Sequence, residues 1–409
     1  MNNIFQIEEG VLVKYSGQNT KVVIPETVDS IGDCAFMYCS NVESVVIPKG
    51  VKRIGRKAFE NCLKLKEIVI PSTVEYIGND AFLNCLKREL ISVEKGNTVY
   101  HSQGNCLIET ARKFLVLGCN NSVIPDDGSV VTIGPYAFDG CDEMEDIIIP
   151  NGIEAICESA FSYCGGLTSV VIPDSVTCVD RRVFMCCQNL RKIIFSKEVL
   201  ELYEQVCSDC DNLSEVILPE KLTYIDELAF VACPKLACVT IPKSVSYISL
   251  TAFDDTTEVI IEDQEFVNKM KEKTFDNFVR AQENTYSIAL EEIRKGHKET
   301  HWMWYIFPQL RGLGKSVESH MFGIEDLDEA RAYLAHPILS KRLYEITEEL
   351  LKGKESDPHR IFGAIDAMKL RSSMTLFALV SEENSVFHCL LDKFYCGTMD
   401  EKTLRLLKG

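Results

Sequence analysis

The chain has 409 residues, of which 46% are hydrophobic and 25% are charged, and its formal net charge is −18. These proportions are typical of folded globular proteins and exclude a largely disordered chain. No apolar run has bilayer-spanning length, and the first residues lack the basic and apolar segments of a signal peptide. We therefore predict a cytoplasmic protein that makes no membrane contact.

The negative charge is concentrated in the first two-thirds of the chain. Residues 1–263 contain 22 Lys and Arg against 38 Asp and Glu, whereas the remaining residues contain 21 against 23. An acidic surface repels phosphate backbones, so we predict no nucleic-acid partner. A protein partner is favoured, and among proteins a basic one fits best.

Residues 4–23 alternate between apolar and polar side chains, with Gly10 between two runs. This alternation predicts a hairpin that caps the structure that follows. A similar stretch, at about 93–123, contains Gly118 and an Asn-Asn pair as turn residues. It predicts a second hairpin, inserted in the middle of the first domain.

An internal repeat fills most of residues 1–262. Ile-Pro or a close variant begins at residues 24, 47, 70, 124, 149, 172, 195, 218 and 241, in steps of 23 residues apart from the insertion and two extra residues in the unit at 124. Each unit predicts a short strand ended by Pro, because Pro cannot donate a ladder hydrogen bond. An Ala-Phe pair then predicts a short helical turn. Units of this length stack into a solenoid with parallel strands.

The units resemble the BspA-like (treponemal-type) leucine-rich repeats over about residues 20–262. The resemblance rests on units such as IPKGVKRIGRKAFENCLKLKEIV at 47–69 and IPNGIEAICESAFSYCGGLTSVV at 149–171. It implies a right-handed, curved solenoid that binds proteins, frequently on cell surfaces.

One cysteine recurs at the same place in the units. The column consists of Cys39, Cys62, Cys85, Cys141, Cys164, Cys187, Cys210 and Cys233. A position that repeats with the unit is explained by packing, and a free cysteine packs as a small hydrophobe. We therefore predict structural thiols at these positions, and neither disulfides nor metal ligands.

The strand residues that should point outward form a candidate partner-binding surface. They are Val46, Val69, Ile148, Val171, Ile194 and Ile217, with the flanking acidic residues Glu67, Asp146 and Glu215. An exposed β-branched row beside mixed charge is typical of a docking stripe. The alternative is that β-branched residues stack well in a parallel sheet whatever they face.

Beyond residue 263 the repeat ends and the composition becomes helical. Residues 263–274 predict a charged helical linker, and residues 275–409 predict a mainly α-helical globular domain. Helices are expected from about 275 to Gly296 and at about 326–335, 337–352, 365–380, 385–395 and 400–407. The predicted fold class is thus α+β with two domains, a leucine-rich-repeat solenoid followed by a helical globule.

Residues 275–408 closely resemble the family called domain of unknown function 1810. The matching segments are FVRAQ at 278–282, HWMWYIFPQLRGLGKS at 301–316, FGI at 322–324, EARAYLAHPIL at 329–339, IFG at 361–363, KLRSSMTLFA at 369–378 and LDKFY at 391–395. The resemblance implies a small, mainly helical intracellular domain and carries no reaction.

Two segments of this domain suggest a ligand site. His301 could act as an acid or base between the planar rings of Trp302 and Trp304, near Gln309. A second segment supplies cationic and hydroxyl groups that hold anions, namely Lys369, Arg371, Ser372 and Ser373. The alternative is that these aromatic and hydroxyl residues belong to a helical core.

No established catalytic or metal-binding motif accompanies these residues. Gly314-Lys315-Ser316 resembles the end of a phosphate-binding loop, but Gln309 stands where its first glycine is required. The sequence therefore predicts no cofactor and no metal site. The leading hypothesis is an intracellular interaction protein whose solenoid recruits a protein partner to the helical domain. The alternative is that the helical domain is an enzyme or sensor for a small polar or nucleotide-derived ligand.

Overall fold

A computed structural model describes residues 4–261, 263 and 275–408. The chain divides into two compact units, Met1–Thr257 and Glu258–Gly409. A β-solenoid of 23-residue turns occupies residues 11–261 and is followed by a helical domain, so the predicted fold class is confirmed. The predicted linker lies outside the described residues except for Asp263.

The solenoid strands are short. They are β1 (Phe5–Glu8), β2 (Val11–Tyr15), β3 (Lys21–Val23), β4 (Ser30–Ile31), β5 (Ser44–Val46), β6 (Arg53–Ile54), β7 (Glu67–Ile70), β8 (Tyr76–Ile77), β9 (Leu90–Val93), β10 (Tyr100–Gln103), β11 (Cys106–Glu109), β12 (Phe114–Leu117), β13 (Thr132–Ile133), β14 (Ala155–Ile156), β15 (Ser169–Val171), β16 (Cys178–Val179), β17 (Lys192–Ile194), β18 (Glu201–Leu202), β19 (Glu215–Ile217), β20 (Tyr224–Ile225), β21 (Cys238–Ile241), β22 (Tyr247–Ile248) and β23 (Glu258–Ile261).

Each coil places strands on two walls. One wall carries the residues before the Ile-Pro dipeptides, in sheets β3-β5-β7-β9 and β15-β17-β19. The other wall carries sheets β1-β2-β4-β6-β8, β10-β11-β12-β13-β14-β16 and β18-β20-β22. Alternate side chains from both walls point inward, and stacking makes their burial continuous.

The corner after the second strand is not the short helical turn that we predicted. Its residues form non-helical turns in which Lys57 and Asn61, for example, have positive φ. In this conformation the main-chain N–H groups of Lys57, Phe59 and Asn61 donate to Asn79, Ala81 and Leu83 of the next coil. A helical turn would direct these donors back into its own backbone. The corner is thus a third hydrogen-bonded ladder along the solenoid.

Aromatic rings and thiols fill the interior behind this corner. Phe36, Phe59 and Phe82 stack with ring centroids 4.9 and 5.3 Å apart, and Phe138, Phe161 and Phe184 form a second stack. The Cys62 thiol donates to the Phe36 carbonyl over 3.2 Å. The same bond recurs in later coils. The cysteine column therefore supplies hydrogen bonds between coils as well as packing.

The solenoid has two caps of the same design. In the first, β1 and β2 form an antiparallel hairpin, and β2 then pairs in parallel with β4. In the second, β11 and β12 form an antiparallel pair, and β12 pairs in parallel with β13. The amides of Tyr15 and Gly118 make the matching bonds, to the carbonyls of Ala35 and Ala137. Here β10 adds a third antiparallel strand.

Arg88 joins the two halves of the array. Its guanidinium is buried and donates to the carbonyls of Cys85, Gly118 and Asp139 over 2.9–3.0 Å. Gly118 is required beside it, because a Cβ there would lie 2.1 Å from the Phe138 ring. The ring stack that begins at Phe36 ends at Phe82 before this break, and the second stack begins at Phe138 after it.

The second unit contains nine helices within its described residues. They are α1 (Asp276–Glu283), α2 (Tyr286–Lys295), α3 (Met303–Ile306), α4 (Val317–Phe322), α5 (Leu327–Ala335), α6 (Pro337–Lys352), α7 (Pro358–Ala378), α8 (Val386–Tyr395) and α9 (Glu401–Leu406).

Local chemistry explains where these helices begin and end. Helix α2 ends at Gly296, whose φ of 75° lets its amide reach the last helical carbonyls. Asp326 and Asp357 accept amide hydrogen bonds at the starts of α5 and α7. Helix α7 begins seven residues before the predicted start, at Pro358, and its helical conformation is interrupted at Gly363. Within the described ranges, every helix is too short or too polar to cross a bilayer.

Candidate functional site

The predicted partner-binding row lies on the wall of the solenoid that carries the Ile-Pro dipeptides. Parallel pairing aligns Val171 with Ile194 and Ile194 with Ile217. Neighbouring strands in such a sheet are about 4.8 Å apart, so these three side chains form one continuous strip. Val171 is 59% exposed, and Ile194 and Ile217 are partly exposed. The strip is therefore an apolar surface exposed to solvent.

The first half of the array contributes a shorter strip on its own sheet. Val46 pairs with Val23, and Val69 pairs with Ser92. Val23 and Val46 are well exposed, at 67% and 57%. Val23 was not among the predicted row residues, although it precedes an Ile-Pro dipeptide as Val46 does. We define the outward row as Val23, Val46, Val69, Val123, Ile148, Val171, Ile194 and Ile217.

Ile148 and Asp146 lie between the two sheets and do not lie on a strand, contrary to our expectation. The structure has no strand pairing at residues 123–125 and 146–149. These residues belong to the region where the array starts again after the internal cap. Ile148 is nevertheless 82% exposed, and Val123, which holds the equivalent position in the preceding unit, is also exposed. The row is thus present in both halves but is not supported by one uninterrupted sheet.

The acidic residues beside the row are placed differently from one another. The Glu215 carboxylate forms a 2.7 Å ion pair with Lys192, one coil earlier. Glu67 pairs in register with Ser44 and Leu90, and it is exposed. Exposed ion pairs are weak and readily exchange partners.

In the helical unit, the predicted site residues do not share one open surface. His301 is exposed, whereas Trp302 and Trp304 are buried. The Trp302 indole N–H donates to the Glu292 carboxylate over 2.8 Å. That carboxylate also accepts from the amides of Glu299 and Thr300. The buried Glu292 carboxylate therefore ties the exposed residues Glu299 and Thr300 to the buried Trp302 ring.

The second predicted segment is also bound into its surroundings. The Arg371 guanidinium donates to the carbonyls of Thr398 and Met399, and the Ser372 hydroxyl donates to Met368. Ser373 and Gln309 are buried. The Ser373 hydroxyl and the Gln309 side-chain amide nitrogen have no hydrogen-bond partner among the described residues.

The structure brings Lys369 and Trp304 together, with the ammonium 5.7 Å from the ring centroid. The Lys369 ammonium lies 3.0 Å from Asp366, and Lys298 lies 2.7 Å from the same carboxylate. Burial opposes ionisation of Asp366, but the two lysines outweigh it and lower its pKa. Lys298 and Asp366 were not among the predicted site residues, because only the folded chain brings Lys298 to the Asp366 carboxylate beside Lys369.

Models of two protein families match the chain. The "BspA type Leucine rich repeat region" matches residues 7–127 and 131–260 in six copies, and the family described as "Protein of unknown function (DUF1810)" matches residues 272–407. No curated protein matches.

Several solved structures are similar to parts of the chain. The conserved hypothetical protein Rv1873 from Mycobacterium tuberculosis is 45% identical over 33% of this chain and 96% of its own, with a TM-score of 0.32. A leucine rich cell surface protein from Faecalibacterium prausnitzii is 30% identical over 61% of each chain, with a TM-score of 0.46. A leucine-rich repeat protein from Eubacterium ventriosum is 24% identical over 58% of this chain and 76% of its own, with a TM-score of 0.47.

Proposed function

The chain belongs to the BspA type leucine rich repeat family and also carries a domain of the DUF1810 family, and on this premise we propose that it is an adaptor whose solenoid recruits a protein partner to the helical domain. Solenoids of this type are typical protein-binding structures. The observation that carries the proposal is the outward row, an apolar strip that the sheet register repeats from coil to coil.

The chemistry of the row indicates what kind of partner it fits. Exposed β-branched side chains supply apolar contact area, and they are already ordered by the sheet, so binding costs little side-chain entropy. Acidic residues flank the strip at Glu67, Asp146 and Glu215. A partner with an apolar ridge bordered by Lys or Arg complements both features.

The test is partner capture by the full chain with a photo-crosslinking residue introduced at Ser169, beside the row. We expect a crosslinked protein that is lost in the double variant Ile148→Lys, Val171→Lys and kept in the control Ile288→Lys, which alters an exposed isoleucine of the helical unit. Thermal unfolding of all variants checks that they fold. Equal crosslinking by the double variant would reject the row as the docking surface.

The location of the protein is part of the proposal. Among the described residues all eighteen cysteines are free, and many donate thiol hydrogen bonds to the preceding coil. This arrangement fits a compartment in which thiols stay reduced, such as the cytoplasm. Fractionation of cells with an antibody to the helical domain tests it, and recovery of the protein at the cell surface would reject it.

A second candidate function is ligand binding by the helical domain. The observation in its favour is the contact of the Lys369 ammonium with the Trp304 ring, beside Asp366 and Lys298. Cations beside aromatic rings are suited to anionic planar ligands such as nucleotides. Thermal-shift measurements on the full chain with nucleotides and ADP-ribose test it. A stabilisation that Lys369→Met abolishes is expected, and no shift with any of these compounds would reject it.

A further inference from the structure

A cleft of about 620 Å³ opens in the solenoid at the break between its two halves. One side is the corner of the last coil before the break, at Gly78, Asp80 and Phe82. The opposite side is the internal cap, with Glu109 and Phe114. At this point β8 is the last strand of its sheet, and the Ile77 amide donates to the Tyr100 hydroxyl where another coil would continue the array.

The main-chain amides at the corner that lines this cleft have no carbonyl acceptors from a following coil of the described chain. In the preceding coil, the amides of Lys57, Phe59 and Asn61 donate to carbonyls of the next coil. The equivalent donors here are Asp80 and Phe82, which line the cleft, and Asn84, which follows them at the same corner. Within residues 4–261 and the rest of the described chain, none of these three amides has a hydrogen-bond acceptor.

The backbone is nonetheless held in the donating conformation. Asp80 and Asn84 have φ values of 58° and 57°, matching 57° and 61° at Lys57 and Asn61. The matching donors of the first coil bond to the carbonyls of Arg56, Ala58 and Glu60, which are alternate residues of one continuous segment. The three free amides are therefore spaced to receive alternate carbonyls of a polypeptide.

The charged residues that line the cleft indicate which kind of polypeptide it can bind. Its lining contains Asp80, Glu109 and Glu158 against Arg112. Arg112 pairs with Glu109, and Arg181 pairs with Glu158. The Asp80 carboxylate has no ion pair or hydrogen bond in the part of the chain that the structure describes. Burial, with the charges of Glu158 and Asp80, raises the pKa of Tyr136 on the same surface. The cleft is thus acidic on the side that carries the free amides.

We propose that this cleft is a second binding site, which takes a segment of a partner protein that carries Lys or Arg and adopts the conformation of a coil corner. The segment occupies the place of a missing coil corner: its alternate carbonyls accept from Asp80, Phe82 and Asn84, and its basic side chain pairs with Asp80. This site is separate from the outward row and does not depend on it.

A fluorescent peptide that copies residues 52–61, KRIGRKAFEN, is the probe, because it contains the segment that accepts from the first coil. We expect saturable binding to the full chain in fluorescence anisotropy. Asp80→Lys is expected to weaken it about tenfold or more, since it replaces an attraction by a repulsion. Lys is compatible with this backbone, because Lys57 occupies the equivalent position at the same φ.

The matched control is Glu220→Lys, the same charge change at an exposed residue outside the cleft, which should bind the probe within about twofold of the unaltered chain. Amide hydrogen exchange gives a second readout: the probe should slow exchange at Asp80 and Phe82 and leave Phe59 unchanged. Absence of saturable binding, equal binding by Asp80→Lys, or unchanged exchange at Asp80 and Phe82 would each overturn the proposal.

Discussion

The Arg88 guanidinium donates to the Asp139 carbonyl oxygen over 3.0 Å, and this bond joins residues on opposite sides of the internal cap. The two residues also interact through their charges, since Arg88 opposes the effect of burial on the Asp139 carboxyl. The buried Arg88 guanidinium and its carbonyl acceptors therefore bridge the break in the array. Arg88 and Asp139 can be tested by separate substitutions.

Replacing Arg88 by Met should destabilise the solenoid. The change leaves the carbonyls of Cys85, Gly118 and Asp139 without this donor in a buried place. We expect the free energy of unfolding to fall by about 3 kcal/mol or more, as for other buried polar groups that lose their partner. Urea unfolding followed by circular dichroism measures it. Arg181→Met, at a half-exposed arginine, is the control and should change stability by less than about 0.5 kcal/mol.

Asp139 should make the solenoid less stable as the pH rises. Burial raises its pKa from 3.8 to about 6, despite Arg88 and a hydrogen bond from Ser162. The folded state therefore binds the proton of the Asp139 carboxyl more tightly than the unfolded state does. The stabilisation that comes from this proton is complete below pH 3.8 and is lost as the pH rises from there to about 6.

Asp139→Asn removes this titration and should raise the free energy of unfolding at pH 7 by about 1–3 kcal/mol. At pH 4 the difference from the unaltered chain should largely disappear. Asp142→Asn, at an exposed neighbour, controls for net charge. A variant that is less stable than the unaltered chain at pH 7 would show that the ionised carboxylate is needed beside Arg88.

The cysteine column should be inert to thiol reagents in the folded protein. Burial raises the pKa of Cys187 to about 12 and that of Cys164 well above its ordinary value, so neither forms the reactive thiolate at neutral pH. Labelling with Ellman's reagent at pH 7 should be fast only at the exposed residues Cys34, Cys238, Cys389 and Cys396. Cys178 is exposed as well, but burial raises its pKa, so it should react more slowly. Cys238→Ser should remove one fast thiol and Cys164→Ser none, whereas loss of a fast thiol in Cys164→Ser would contradict the buried column.

Glu292 should support the helical domain at neutral pH. Burial opposes its ionisation, but hydrogen bonds from Glu299, Thr300 and Trp302 outweigh burial and lower its pKa. The stabilisation is therefore present above the ordinary pKa of a glutamate and is lost as the pH falls through the lowered value. Glu292→Ala should cost about 2–3 kcal/mol at pH 7. Tryptophan fluorescence during urea unfolding measures it, with exposed Glu291→Ala as the control.

The sequence predicted the solenoid well because its inward residues repeat by type. Ile, Ala, Phe and Cys recur every 23 residues, and burial selects each of them. The corner conformation could not be predicted in this way, because the left-handed positions hold residues as different as Cys34, Tyr38, Lys57 and Asn61. What these positions share is a main-chain donor, which carries no signature in the side chains.

The candidate site in the helical domain was only partly predictable for a related reason. Lys369 was identified from composition, and its partner Asp366 lies three residues before it on α7. Lys298, which pairs with the same carboxylate, lies in the segment between α2 and α3. Only the packing of α2 and α7 determines which of these groups meet. Charge pairing across such distances leaves no pattern in a single sequence.

The internal cap also bears on how such a chain can change over generations. The parallel pairing of β2 with β4 sets the register of the first half, and the parallel pairing of β12 with β13 sets it again for the second half. Each half therefore stacks on a hairpin of its own. Whole coils can then be gained or lost on one side of residue 100 while the stacking on the other side is preserved. The protein can thus be regarded as two arrays in tandem, each free to vary in length.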